Sequence, residues 1–166
     1  VISVSDGTVS QNRTYQDMLK NPGDEANFVT LTTSELYQVK LDGSKTLYKP
    51  AGMYAGTAFS PDGNLLMVTT FNKPFSYIVP LNRFPQLTVV YDLQGKELKK
   101  IADLPLAEVM PKGFMAVAKG MRAINWRSDE PATLVYAEAL DDGDPQKKVD
   151  FRDAVYTWKA PFTSKP

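Results

Sequence analysis

The stretch Ala58-Phe-Ser-Pro-Asp-Gly-Asn-Leu-Leu-Met-Val-Thr-Thr70 sets a tight-turn signal between two short apolar runs, and the same arrangement returns later in the chain. In Ser60-Pro61-Asp62-Gly63, proline pre-sets φ, aspartate can bond its own backbone and glycine accepts positive φ, which predicts a type I or II turn. Strands are expected on either side, over roughly 54–59 and 65–72. The continuous apolar run from Leu65 suits a strand buried on both faces. A second kind of hairpin precedes it: Glu35–Leu41, the turn Asp42-Gly43-Ser44, and Thr46–Tyr48. This kind recurs as Thr88–Leu93, Gln94-Gly95-Lys96 and Glu97–Ile101. The first kind recurs as Arg122–Arg127, Ser128-Asp129-Glu130-Pro131 and Thr133–Glu138, with Trp126 standing where Phe59 stands. Asp153–Trp158 begins a third copy of the second kind.

Two hairpins that alternate in this way build a four-stranded antiparallel unit, the form of a β-propeller blade. The expected fold is all-β: a fragment of a β-propeller, with one complete four-stranded blade flanked by parts of two others. Insertions over 72–86 and 102–120 lengthen the repeat and are expected as ordered loops at a rim. The chain divides into an irregular segment over about 1–26, a partial blade over 27–53, a full blade over 54–120 and a truncated blade over 121–166. Within the first segment, Thr14–Lys20 reads as one or two helical turns stopped by Asn21-Pro22-Gly23, and β structure is expected from Phe28 to Thr33. An all-β sandwich is the competing fold. A propeller closes by going round its axis, so the last strand near Trp158 should leave an open edge, and a homodimer through exposed strand edges is expected.

Composition narrows function by exclusion. Among 166 residues there is no Cys and no His, which removes disulfides, thiolate sites, a Ser-His-Asp triad and the usual zinc site. No cofactor or metal is expected, and this chain alone is not expected to be an enzyme. Nineteen basic residues balance nineteen acidic ones, giving no electrostatic case for nucleic acid. No apolar run approaches the ~20 residues of a membrane span. The chain opens Val1-Ile2-Ser3 with no leader pattern, so any targeting segment is expected to lie outside it; the compartment stays open, a periplasmic or extracellular setting being favoured over a cytoplasmic one.

Four stretches, RTYQDMLKNPGDEANF (13–28), KPFSYIVPLNRFP (73–85), IADLPLAEVMPKGF (101–114) and INWRSDEPATLVYAEALDDGDP (124–145), resemble the propeller of the prolyl oligopeptidase family, in particular its glutamyl endopeptidase-like branch. The resemblance runs from about Arg13 to Phe162. It implies a serine peptidase whose catalytic α/β-hydrolase domain follows C-terminally and is absent from this chain. The absence of His and of a Gly-x-Ser-x-Gly elbow agrees with that. The implied partners are that hydrolase domain and peptide substrates, and the implied role of the propeller is to gate access and contribute to the substrate pocket. A stand-alone propeller-type binding or interaction module, with no peptidase activity, is the alternative.

A pocket for acidic side chains needs a guanidinium fork. Arg83, on the stiff Pro- and aromatic-rich insertion, is the first substrate-binding candidate, with Lys73 and Tyr77 beside it in sequence; the competing reading is that Arg83 and Tyr77 anchor the loop. The family pattern has a His just before Pro-Phe-Ser-Tyr where this chain has Asn72-Lys73. Arg122, Arg127 and Arg152 are second-rank candidates, with Arg127 expected to pair with Asp129 or Glu138. The acidic run Asp141-Asp142-Gly143-Asp144 lacks calcium-loop spacing and is expected as a solvated hairpin loop. Trp126, Tyr136, Tyr156 and Trp158 are expected to pack between neighbouring sheets.

Overall fold

A computed structural model describes residues 15–166. The reading of residues 1–14 as irregular, and of Thr14 as a helix start, falls outside them. Residues 15–20 form no helix, and the signal read as a stop is a start. Helix α1 spans Pro22–Thr32. Asn21 is its N-cap and accepts from the Asp24 N–H at 3.0 Å, Pro22 opens the first turn where its missing N–H costs nothing, and Asp24 and Glu25 sit at the positive end of the helix dipole. The strand expected over 28–33 is therefore helical through Thr32, with Thr33 as its extended C-cap. Its threonines tolerate this because Thr30, Thr32 and Thr33 each donate to the carbonyl four residues back, at 2.9, 2.6 and 2.6 Å.

From there on the regular elements of the described residues are strands, apart from one 3-10 turn. Strands β1 (Ser34–Val39) and β2 (Lys45–Gly52) form a two-stranded sheet. Strands β3 (Tyr54–Phe59), β4 (Leu65–Phe71), β5 (Gln86–Asp92) and β6 (Glu97–Leu104) form a four-stranded sheet in chain order. Strands β7 (Arg122–Trp126), β8 (Thr133–Ala139) and β9 (Asp153–Lys159) form a three-stranded sheet. Every pairing is antiparallel, and none of the three sheets closes on itself. Strand β6 runs on to Leu104, so the second insertion starts later than its sequence suggests.

The opening turn closes as its residues dictate. The Gly63 N–H donates to the Ser60 carbonyl at 2.8 Å, with Gly63 at φ +73. Buried Ser60 accepts the Leu65 N–H on its hydroxyl at 2.9 Å and donates to Asp62 at 2.6 Å. The hydroxyl thus satisfies a backbone donor that the turn would otherwise orphan.

Register shows how the sheets stack. Phe59, Leu66 and Tyr91 form one cross-strand row of the second sheet, and Trp126, Leu134 and Trp158 form the matching row of the third. The Tyr91 row meets the first sheet, where Tyr48 donates to the Asp92 carbonyl and Lys49 to the Gly95 carbonyl, each at 2.7 Å. The Trp158 row meets the second sheet: Leu134, Tyr136, Trp158 and Phe162 close on Met67, Val90 and Ile101. Trp126 Nε1 donates to the Ala58 carbonyl at 3.0 Å across the same seam. Each sheet thus lays the same face on the sheet before it. Val90 and Leu134 are fully buried there, and each such burial contributes roughly 1.5–3 kcal/mol.

Candidate functional site

Two loops, residues 72–85 and 105–121, meet at one end of the second and third sheets. The first is closed by the Asn72 N–H donating to the Pro85 carbonyl at 2.9 Å, and it carries a single 3-10 turn over Leu81–Arg83. Phe75 and Phe84 stack within it, 5.3 Å apart, and Phe28 of α1 meets both edge-on. The loops are joined by the Ala107 N–H donating to the Arg83 carbonyl at 2.9 Å, and by buried Ser76 donating to Glu108 at 2.6 Å. This stiffness comes from sequence: prolines limit the backbone and aromatic edges fill the space beneath.

Between the loops and the sheets lies a cavity of about 430 Å³. Its walls are largely apolar, with Phe84, Leu104, Met121 and Ile124 among them, and its charged lining consists of Arg83, Lys119 and Arg122. Among the described residues no carboxylate lines it. Lys119 is paired with Asp142 at 2.9 Å, and Arg122 with Asp153 through its Nη2. Arg122 Nε is buried with no hydrogen-bond partner among the described residues. The Arg83 guanidinium lies 5.5 Å from the centre of the Tyr15 ring and forms no ion pair among the described residues. The Tyr15 hydroxyl is likewise buried without a partner among the described residues.

Of the six residues picked from sequence, Arg83 and Arg122 line this one cavity. Lys73 and Tyr77 turn instead to Glu25 of α1: Lys73 Nζ lies 2.8 Å from Glu25 Oε1, and Tyr77 donates to Glu25 Oε2 at 3.1 Å. These bonds, that from Lys73 first, hold the Glu25 carboxyl below its usual range, while burial and then Glu25 push the Tyr77 hydroxyl up. Arg127 spans Asp129 at 3.0 and 2.6 Å and reaches Glu130 at 3.1 Å, so its charge is met within its own turn.

Arg152 serves a clasp. Its Nε donates to Asp141 at 2.6 Å and its Nη2 to the Met115 carbonyl at 3.0 Å. Asp141 is fully buried, which corrects the expectation of a wholly solvated loop. Burial works to raise its carboxyl, yet Arg152 and the Gly143 N–H keep it below the ordinary aspartate range. The next residue, Asp142, bridges Lys147 and Lys119, which draw it down to about 2. Through these contacts the loop after β8 grips residues 115–119, of which Ala118 and Lys119 line the cavity. No group of three or more His, Cys, Asp or Glu suited to a metal ion occurs among the described residues.

Arg83 and Arg122 were thus reachable from residue type, whereas Tyr15 and Lys119 carry no sequence signal, since only the meeting of distant loops gives them a place. The chain is 40% identical over 148 residues to a protein of Oryza sativa subsp. japonica named probable glutamyl endopeptidase, chloroplastic, a match covering 89% of this chain and 16% of the rice protein. A protein of the same name from Arabidopsis thaliana is 40% identical over 153 residues, covering 92% of this chain and 16% of its own length. The match is to a region of peptidase-named proteins. The chain spans about 16% of the length of these curated relatives. No protein-family model matches the chain. No solved structure matches it.

Proposed function

We propose that this chain is a non-catalytic β-propeller portion of a serine peptidase resembling the glutamyl endopeptidases of the prolyl oligopeptidase family. The observation that carries this reading is the 40% identity, over about nine-tenths of the chain, to proteins named as glutamyl endopeptidases. The stacking of successive sheets by one repeated face supports the propeller, because a propeller is built by that operation. The lack of His supports placing acyl transfer elsewhere: the Ser nucleophile, its His base and the oxyanion hole belong, on this reading, to an α/β-hydrolase domain of the longer protein. This portion supplies scaffold, gating of peptide substrates and, through Arg83, part of the pocket that reads an acidic side chain.

The free edges of β1 and β9, which no other described strand covers, suit pairing with a second copy of the isolated chain. A single monomeric mass by light scattering across a wide concentration range argues against that pairing. The peptidase reading is tested with fluorogenic peptides differing only at the residue before the scissile bond. They are offered to the longer protein, to its Arg83→Ala variant and to this chain. Cleavage after Glu by the longer protein, silence of this chain, and a selective loss of Glu turnover in the variant support it; a longer protein that cleaves no peptide sinks it in favour of an interaction module.

A further inference from the structure

We infer that the outer face of the first sheet, marked by Val39, Leu41 and Leu47, is an interaction surface that seats on the third sheet of a second copy of this chain. Three hairpin ends of one geometry make the faces comparable. The N–H groups of Gly43, Gly95 and Phe162 donate to the carbonyls of Lys40, Asp92 and Lys159 at 2.9, 3.0 and 2.9 Å, with φ of +82, +82 and +64. Lys40, Asp92 and Lys159 are therefore equivalent, and so are the residues before them, Val39, Tyr91 and Trp158. Tyr91 and Trp158 lie on the face that each sheet lays on the sheet before, so Val39 marks that face on the first sheet. Leu47 shares it, because its partner Tyr37 stands two residues from Val39 along β1, and Lys45, the partner of Val39, lies 5.3 Å from the centre of the Tyr37 ring. Leu41 stands where Leu93 and Ala160 stand, and both of those enter their seams. All three residues are exposed, Val39 at 65%.

The third sheet offers the counterpart. On the second sheet, the face that carries the third includes Met67 and Val90, paired in register. Val135 and Thr157 are the equivalent pair on the third sheet, and Ala137 and Val155 are the next pair on that face. Val155 is 70% exposed. One end of the molecule thus presents the face that is laid down, and the other end the face that is laid upon. Exposed apolar side chains gathered on one face mark an interaction surface. A seam between unlike faces is heterologous and forms a ring where its rotation closes. Three sheets per copy make six in a closed dimer, within the roughly four to eight blades that complete a propeller. A second copy is therefore seated by the seam that the chain already makes twice between its own sheets. Side chains form this contact, whereas edge pairing uses backbone groups. The inference rests on the propeller part of the reading above and not on the peptidase part.

Sedimentation velocity of this chain over a wide concentration range, beside two variants, tests the surface. Wild type should show a concentration-dependent dimer. Val39→Asp puts a charge on the first-sheet face and Val155→Asp one on the third-sheet face, and each should weaken association about tenfold or more. Every seam between identical copies needs one face of each kind, so both variants lose all their seams. An equimolar mixture of the two keeps one sound seam and should form a heterodimer that neither variant forms alone. Rescue on mixing also excludes misfolding as the cause of the loss. A wild type that stays monomeric, or a pair of variants that mixing does not rescue, overturns the surface. A dimer that survives both substitutions, as edge pairing would, also overturns it, while leaving the stacking within the chain and the propeller reading intact. Peptide cleavage enters none of these outcomes, so the peptidase reading stands or falls separately.

Discussion

Lys49 Nζ lies 3.5 Å from the centre of the Tyr91 ring, and Lys99 Nζ lies 5.1 Å from the centre of the Trp158 ring. The two contacts are the same contact made twice. Tyr91 pairs with Leu66 and Trp158 with Leu134, the matching positions of two successive sheets, and each lysine comes from the last strand of the sheet before. Lys49 also donates to the Gly95 carbonyl, so its ammonium is held more closely. Lys49→Met keeps the aliphatic stem and should cost about 1 kcal/mol, more than Lys99→Met. Urea midpoints of the two variants and of a cycle with Tyr91→Leu check this, and no coupling between Lys49 and Tyr91 would remove the cation–π account.

Phe59 and Trp126 hold equivalent places in the two copies of the first hairpin, yet their surroundings differ. Phe59 is 62% exposed, even though it shares a small cavity with Leu36, Tyr37 and Tyr48 of the first sheet. Trp126 is half-buried against Phe162 and bonded to Ala58. Trp126→Ser should therefore cost at least about 2 kcal/mol, and Phe59→Ser no more than about 0.5 kcal/mol. Equal losses in paired denaturation curves would mean that Phe59 is covered in solution.

Gly43 and Gly143 share a left-handed backbone, with φ +82 and +81, and differ in space. A Cβ on Gly43 meets nothing within 4 Å, so Gly43→Ala carries only the conformational strain, about 1 kcal/mol. A Cβ on Gly143 would lie 2.0 Å from the Val117 carbonyl oxygen, which the backbone must move to avoid. Gly143→Ala should cost several times more and loosen the clasp that grips residues 115–119. Faster hydrogen exchange at the Val117 amide, which donates to Gly143, is the local sign to look for.

The hairpins were legible because their turns are written in local chemistry. Asp42-Gly43, Pro61-Asp62-Gly63 and Gln94-Gly95 each close a strand pair where residue type alone asks for one. The helix was misread because Asn21-Pro22-Gly23 holds both a breaker and a cap, and what decides between them is whether Asn21 meets the Asp24 amide. Three threonines and a valine near Phe28 argue for β by propensity, and side-chain bonding to the preceding turn overrides it. For the site, residue type selected Arg83 and Arg122, but their shared cavity depends on two loops docking. Lys73 and Tyr77 look equally available in sequence; their partner, Glu25, lies on a helix where the sequence reads as an irregular segment running into a strand.

Acid should weaken the seat of α1 on the first loop. The Glu25 carboxyl is held low by Lys73 and then Tyr77, so this contribution is full above the ordinary glutamate range and is lost as pH falls through the lowered value. Comparison of wild type with Glu25→Gln from about pH 6 to about pH 3 should show the largest gap in melting temperature at the upper end and a narrowing gap below about pH 4. A gap that stays constant over that range would exclude Glu25 ionisation as the cause.

Alkali should weaken the seam between the first two sheets, and the sign follows from Tyr48. Burial, reinforced by the charges of Asp92 and Tyr91, pushes its hydroxyl up to about 12, while an unfolded tyrosine ionises near 10. Between those values the folded chain holds a proton that the unfolded chain has released, so stability falls as pH rises through this window. Tyr48→Phe removes the bond to the Asp92 carbonyl, a loss of about 0.5–1.5 kcal/mol at neutral pH, and also removes this group's share of the alkaline slope. The stability deficit of the variant should therefore be largest near neutrality and shrink above about pH 10. Some slope persists, because burial also raises Tyr91 and Tyr136. Urea melts at pH values on both sides of 10 settle the matter: parallel curves for wild type and Tyr48→Phe would show that the seam does not protect this hydroxyl.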